Sequence, residues 1–120
     1  MIPKGIGTES RPSHNRKNYR PKPMDVWLAD IPFDNDQGSK IRPVIVVREN
    51  NGKFDVVMMT SSKPNSEKDF ILMDPESAGL EYGSTVKAGK IYSVTSFKFR
   101  QKKGNLSDYD REELGTRIRK

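Results

Sequence analysis

The chain has 120 residues, no cysteine, one histidine and a formal net charge of +6. The lack of cysteine excludes a disulfide scaffold, a thiolate nucleophile and a zinc site built on cysteine, and it suits a reducing cytosol. The single histidine, His14, excludes a histidine pair for acid–base catalysis within one chain. No stretch approaches the roughly 18 apolar residues of a membrane span, and the first residues lack the apolar core of a signal peptide. We therefore expect a cytoplasmic protein that does not bind membranes.

The positive charge is concentrated at the N-terminus. Residues 1–23 hold six basic residues and one acidic residue, a net charge of +5, which leaves +1 for residues 24–120. The segment also contains four prolines and few large apolar side chains, so it cannot bury enough surface to offset its ordering entropy. We predict a basic, flexible arm at residues 1–23 and one folded domain at residues 24–120. A solvated leader is the simpler interpretation of the arm, and an arm that attracts RNA or a partner is the alternative.

Short apolar runs alternate with polar turns from Met24 onward. This pattern, with Asn50-Asn51-Gly52 as a hairpin turn, predicts five or six strands. The continuous β-branched run that starts at Pro43 is typical of a strand covered on both faces. The predicted strands cover residues 24–31, 43–47, 54–60, 70–73, 84–86 and 91–99.

The C-terminal segment changes to a helical period. Ser107 is a suitable N-cap, Asp108 and Asp110 favour the positive end of a helix dipole, and Leu114 and Ile118 share one face. We therefore expect a mainly β chain, a small antiparallel barrel or sandwich with a C-terminal helix. The aromatic residues expected in the core or at a dimer interface are Trp27, Phe54, Phe70, Tyr92 and Phe97.

Residues 38–43 lead directly into the predicted buried strand. Pro43 suits the first position of a strand because it donates no hydrogen bond, and it biases Arg42 toward an extended backbone. A guanidinium held at the mouth of a strand is well placed to bind phosphate through paired donors, although a plain surface arginine is the simpler interpretation. Thr60 and Ser61, at the end of the third predicted strand, could also bind phosphate, or could only satisfy loop amides.

Four segments resemble, in order, the PemK/MazF-like toxins, the endoribonucleases of type II toxin–antitoxin pairs. The order and spacing of these loose motifs carry the resemblance, which extends over about four fifths of the chain. The segments are residues 25–30, residues 38–46, residues 59–62, and residues 83–86 followed by residues 91–94.

The resemblance implies an SH3-like barrel, a homodimer that holds RNA across its surface, and metal-independent cleavage of single-stranded RNA without a cofactor. It also implies neutralisation by a small acidic antitoxin. It assigns catalysis to Arg42 and Thr60. Where the family often carries Glu-Gln, this chain has Gly89 and Lys90, and the lysine could contact phosphate instead. The residues assigned to substrate binding are Ser61, Ser84, Lys40 and Lys90.

The chemistry is feasible with these side chains. RNA supplies its own nucleophile, the 2′-hydroxyl beside the scissile phosphate, and in-line attack gives a 2′,3′-cyclic phosphate and a 5′-hydroxyl. Arg42 would stabilise the developing negative charge, although an arginine is a poor proton carrier. Thr60 would donate to a non-bridging oxygen. Asp34 and Asp36 share a loop but lack the spacing of a calcium site.

Two alternatives to the ribonuclease remain open. One is a non-catalytic barrel that binds nucleic acid or protein, such as a topoisomerase-poisoning toxin, and the other is a toxin relative that has lost its activity. The basic run at residues 98–103 could track an RNA backbone. A solvated strand end followed by a turn at Gly104 explains that run equally well.

Overall fold

A computed structural model describes residues 20–32, 38–81 and 83–119. The elements are β1 (Asp25–Pro32), β2 (Ser39–Asn50), β3 (Lys53–Thr60), β4 (Asp69–Ile71), β5 (Thr85–Thr95), a 3₁₀ turn (Ser96–Lys98), β6 (Phe99–Asn105) and the helix α1 (Asp108–Arg119). The strands are all antiparallel and form one sheet in the order β4-β5-β3-β2-β1-β6. The prediction of a mainly β chain with a C-terminal helix is confirmed. In the described part of the chain β4 and β6 are the sheet edges, an arrangement compatible with a partly open barrel.

The hairpin of β2 and β3 forms the centre of the sheet. Val44, Ile45 and Val46 are all completely buried, because one apolar cluster covers each face of the sheet. The strand predicted to be covered on both faces is therefore confirmed. Asn51 and Gly52 form the turn with φ values of 55° and 83°, the left-handed pair that a two-residue hairpin turn requires.

Pro43 does not begin β2 as predicted but lies inside it, opposite Leu28 of β1. Pairing between β2 and β3 begins only at Val44, opposite Met58. Residues 39–43 therefore pair on one side only, and a residue without an N–H is tolerated there as on an edge strand.

β5 is one strand, not the two that the sequence predicted. Its pairing with β3 shifts between Val56, which faces Tyr92, and Met58, which faces Lys87. Residues 88–91 therefore stand opposite a single β3 residue, in a large bulge. The apolar pattern is interrupted at this bulge, and for that reason the sequence predicted two strands instead of one.

The end of β5 and the following basic run also differ from the prediction. β5 ends at Thr95, and residues 99–105 form the edge strand β6, in which Gly104 pairs with Val26 instead of forming a turn. Phe97 lies on the intervening 3₁₀ turn and is 82% exposed, so it is not a core residue of this chain. Trp27 and Phe54 are buried as predicted, as is Phe70, whereas Tyr92 is half-buried.

The helix α1 is joined to the loop that follows β4. Ser107 is confirmed as the N-cap, since its hydroxyl accepts the Asp110 N–H at 3.2 Å. The buried Asp110 carboxylate in turn accepts the N–H groups of Met73 at 2.9 Å and Asp74 at 3.0 Å. Leu114 is completely buried in the core. The loop after β4 is therefore held by the helix.

The helical segments in the described ranges are too short and too polar to cross a membrane.

Candidate active site

A surface cavity of about 460 Å³ opens beyond the point where β2 and β3 stop pairing. Its walls are formed by β1, β2, β3 and β6, by residues 79–81, and by Ser84. The described residues that line it are Leu28, Lys40, Ile41, Arg42, Pro43, Met59, Thr60, Ser61, Gly79, Leu80, Glu81, Ser84 and Lys103.

The register of the central hairpin explains why Arg42 and Thr60 meet in this cavity. Val44 faces Met58 in the last pair between β2 and β3. Continuing that antiparallel register by two residues would place Arg42 opposite Thr60, on the same face as the last pair. The strands have separated by that point, and the space between them is the cavity.

Pairing with β5 brings a further hydroxyl to the same place. Thr60 pairs with Thr85, so the residue before it, Ser84, lies at the cavity wall. The structure thus gathers five of the six predicted site residues around one opening, namely Lys40, Arg42, Thr60, Ser61 and Ser84.

Thr60 also organises the loop that follows it. Its hydroxyl oxygen accepts the Ser62 N–H at 3.1 Å, and the Thr85 hydroxyl donates to the Ser62 carbonyl at 2.6 Å. Thr60 therefore satisfies a loop amide, as one of the two sequence interpretations expected. Because the oxygen acts as an acceptor in this bond, the Thr60 O–H hydrogen is left to donate to a ligand.

The electrostatics of the cavity favour an anion. Three cationic residues line it, Lys40, Arg42 and Lys103, against one described carboxylate, Glu81. None of the three makes an ion pair within residues 20–32, 38–81 and 83–119. Because Arg42 is half-buried, its attraction for an anion is screened less than that of a fully exposed side chain.

The structure does not bring Lys90 to this cavity. It is exposed in the β5 bulge, and its ammonium lies 5.0 Å from the centroid of the Tyr92 ring. Thr85, which marks the cavity end of the strand, is five residues away, and Lys90 is not among the residues that line the cavity.

Sequence reasoning missed Leu28, Glu81 and Lys103 as cavity residues. The basic run at residues 98–103 hinted at Lys103, but the strand pairing decides which of its side chains turns toward the cavity. Among the residues described, no three His, Asp or Glu side chains are grouped so as to hold a metal ion. His14, Asp34 and Asp36 lie outside the described residues.

A larger cavity, of about 950 Å³, has a different lining. The lining includes Trp27, Phe54 and Phe99. The Phe99 ring packs edge to face against Trp27, at a centroid distance of 5.6 Å, and against Phe54, at 5.2 Å. The three cationic residues of this cavity all pair with carboxylates outside the lining. These pairs are Arg20 with Glu49, Arg100 with Asp30 at 3.3 Å, and Lys102 with Asp25 at 3.6 Å.

Residues 22–120 match the family model of the PemK-like, MazF-like toxins of type II toxin–antitoxin systems. The chain belongs to this family. The match includes every strand of the sheet and helix α1, and it confirms the resemblance carried by the four sequence segments. A comparison with curated proteins finds no match.

Solved structures of toxins share the fold. A MazE–MazF complex from Deinococcus radiodurans superposes with a TM-score of 0.66 at 14% identity, covering 83% of this chain and 94% of that chain. A mycobacterial endoribonuclease in complex with its cognate antitoxin gives a TM-score of 0.64 at 15% identity, with 82% and 91% covered. The Mycobacterium tuberculosis toxin MazF-mt6 gives 0.63 at 16% identity, with 78% and 91% covered. The chain therefore has a MazF-like fold.

Proposed function

We propose that this toxin-family protein is a metal-independent endoribonuclease that cleaves single-stranded RNA. The observation that carries the proposal is that Arg42 and Thr60 line one cavity whose cationic residues make no ion pair with the described part of the chain. Support also comes from the family match and from the similar structures, which include a mycobacterial endoribonuclease and the toxin MazF-mt6.

Each side chain has a role in the proposed reaction. The RNA 2′-hydroxyl releases its proton to water as its oxygen attacks the adjacent phosphorus, the bond to the 5′-oxygen breaks, and that oxygen takes a proton from water, which gives a 2′,3′-cyclic phosphate and a 5′-hydroxyl. Arg42 donates to the non-bridging oxygens as charge develops on them, and Thr60 donates its O–H to the same group. Lys40, Ser61 and Ser84 bind the flanking nucleotides. Much of the rate enhancement then comes from holding the strand in line for attack.

We extend the proposal to two protein partners. Similar structures include toxins solved with MazE or with a cognate antitoxin, and an acidic antitoxin segment would complement the unpaired cationic residues of the cavity. The second partner is another copy of this chain, in a homodimer that presents both cavities to RNA. Analytical ultracentrifugation of the protein alone and with a candidate acidic antitoxin tests both. A monomer that binds no such protein would contradict this part of the proposal.

The alternative of a non-catalytic binding barrel is not favoured by the family match. A protein that only binds RNA should tolerate loss of the Thr60 hydroxyl, whereas a nuclease should not. Thr60 therefore separates the two readings experimentally.

The test is cleavage of a long, sequence-diverse RNA by purified protein in EDTA. We expect discrete cuts with 5′-hydroxyl ends from the wild-type protein and strongly reduced cutting by Arg42→Ala and Thr60→Ala. Thr116→Ala, an exposed threonine on α1 away from the cavity, is the matched control and should cut normally.

Circular dichroism of each variant establishes that it is folded. RNA left intact by a folded wild-type protein, over a range of sequences and concentrations, would overturn the nuclease proposal. If Thr60→Ala cut RNA as well as the wild-type protein does, the catalytic role of Thr60 would be contradicted and the nuclease proposal would stand.

A further inference from the structure

Lys103 is the extra residue of a β-bulge in strand β6. Val26 of β1 pairs with Gly104, and the next residue, Trp27, pairs with Lys102, so Lys103 has no partner opposite it. A bulge of this kind changes the direction of the side chain that it carries. Lys103 accordingly lines the 460 Å³ cavity that holds Arg42 (the Arg42 cavity), while its neighbour Lys102 lines the 950 Å³ cavity that holds Trp27, Phe54 and Phe99 (the aromatic cavity).

Two glycines fix the main chain on either side of this lysine. Gly79 has a φ of +80°, and a Cβ on it would overlap the carbonyl oxygen of Lys103. A Cβ on Gly104 would likewise overlap the carbonyl oxygen of Ser77. The Asn105 N–H donates to that Ser77 oxygen at 3.1 Å. Residues 77–79 and residues 103–105 therefore lie in direct backbone contact, and this contact fixes the position of the Lys103 main chain.

The two neighbouring lysines also differ in their charge partners. The ammonium of Lys102 lies 3.6 Å from the Asp25 carboxylate. Lys103 is half-buried, and no carboxylate in the described ranges pairs with it. A cationic group that is partly desolvated and unpaired gains more from binding an anion than an exposed or paired one does.

We propose that Lys103 is a third cationic substrate contact of the site and binds a phosphate of the RNA strand beside the one held by Arg42. This inference rests on the proposed ribonuclease function. Lys103 reaches the cavity from β6, whereas Lys40 and Arg42 reach it from β2, and β1 lies between these two strands. An RNA backbone bound in the cavity would therefore meet cationic side chains from two separate strands.

The test compares Lys103→Met and Lys103→Arg with the control Lys102→Met. The ligand is a single-stranded RNA carrying 2′-O-methyl groups throughout, which has no nucleophile and reports binding alone. We expect Lys103→Met to weaken binding about tenfold at low salt, the order of one charge-assisted contact. The slope of log affinity against log salt should fall by about 0.7, the value for one phosphate of a single strand.

The same variants are then assayed for cleavage of unmodified RNA. Lys103→Met should raise KM more than it lowers kcat, Lys103→Arg should restore most of the affinity, and Lys102→Met should match the wild-type protein. Unchanged affinity and salt slope in Lys103→Met, or an equal loss in Lys102→Met, would overturn the role of Lys103 while leaving the ribonuclease intact. A wild-type protein that neither binds nor cleaves RNA would overturn the proposed function, and the inference with it.

Discussion

The aromatic cavity and the Arg42 cavity differ in what their cationic residues do. The aromatic cavity has about twice the volume of the Arg42 cavity, yet each of its cationic groups is paired with a carboxylate. In the smaller cavity, Lys40, Arg42 and Lys103 have no such partner among the described residues. Unpaired charge that converges on one opening is therefore a better guide to an anion site than the size of the opening.

The largest expected effect comes from removing one arginine from each cavity, which tests whether the two cavities differ in their role in RNA cleavage. We expect Arg42→Ala to lower kcat/KM for RNA cleavage by roughly 10²–10³, the usual cost of one transition-state donor. Arg100→Ala should stay within about twofold and lose little stability, because the Arg100 side chain is about half exposed in its pair with Asp30 and ion pairs open to solvent contribute little. Single-turnover cleavage of one short RNA measures both. A larger loss from Arg100→Ala would move the site to the aromatic cavity.

A second experiment tests whether the wall of the smaller cavity depends on backbone contact. Gly79→Ala combines an unfavourable positive φ with overlap against Lys103, whereas Gly52→Ala, at a φ of +83°, meets nothing within 4 Å. We expect Gly52→Ala to cost about 1 kcal/mol and Gly79→Ala about 3 kcal/mol. Urea denaturation measures both. Equal costs would mean that the loop moves away freely and does not fix Lys103.

A smaller effect, on stability in acid, is expected from the buried Asp69 carboxylate, which pairs with Lys87 away from both cavities. Burial by itself would raise the pKa of the Asp69 carboxyl, but hydrogen bonds from the Lys87 ammonium at 2.6 Å and the Asn65 N–H at 2.9 Å lower it below its usual value. A lowered folded-state pKa stabilises the fold above the unfolded-state pKa, about 4, and this contribution is lost as the pH falls through the folded-state value.

Asp69→Asn should therefore reduce the free energy of unfolding at neutral pH and flatten its fall in acid. Glu112→Gln, an exposed carboxylate on α1, is the control and should leave the acid profile unchanged. Urea denaturation across the acid range measures the two profiles. If the free energy of unfolding of Asp69→Asn depended on pH as that of the wild-type protein does, the pair of Asp69 with Lys87 would have no role in stability.

Local sequence patterns predicted the elements whose signals are contained within a few residues. The turn at Asn51 and Gly52 requires left-handed backbone at two positions, the N-cap at Ser107 requires one hydroxyl, and the buried run from Val44 to Val46 requires only its composition. These signals do not depend on what the rest of the chain does, and all three are observed.

Long-range pairing decided what those signals could not. Pro43 lies inside a strand because its segment pairs only with β1, and β5 runs through Gly89 because a bulge absorbs the interruption. The basic run at residues 98–103 became an edge strand because β1 was available to pair with it. In each case the deciding partner lies far away in sequence.

The sequence by itself determined the fold class, the toxin family and the two site candidates that the family motifs carry, Arg42 and Thr60. Only the tertiary structure decided that these two share a cavity, that Lys90 lies elsewhere, and that Lys103 joins them. The physical reason is register. Because side chains alternate along a strand, a shift of one residue moves a side chain to the other face, and the bulge between Lys102 and Gly104 makes that shift.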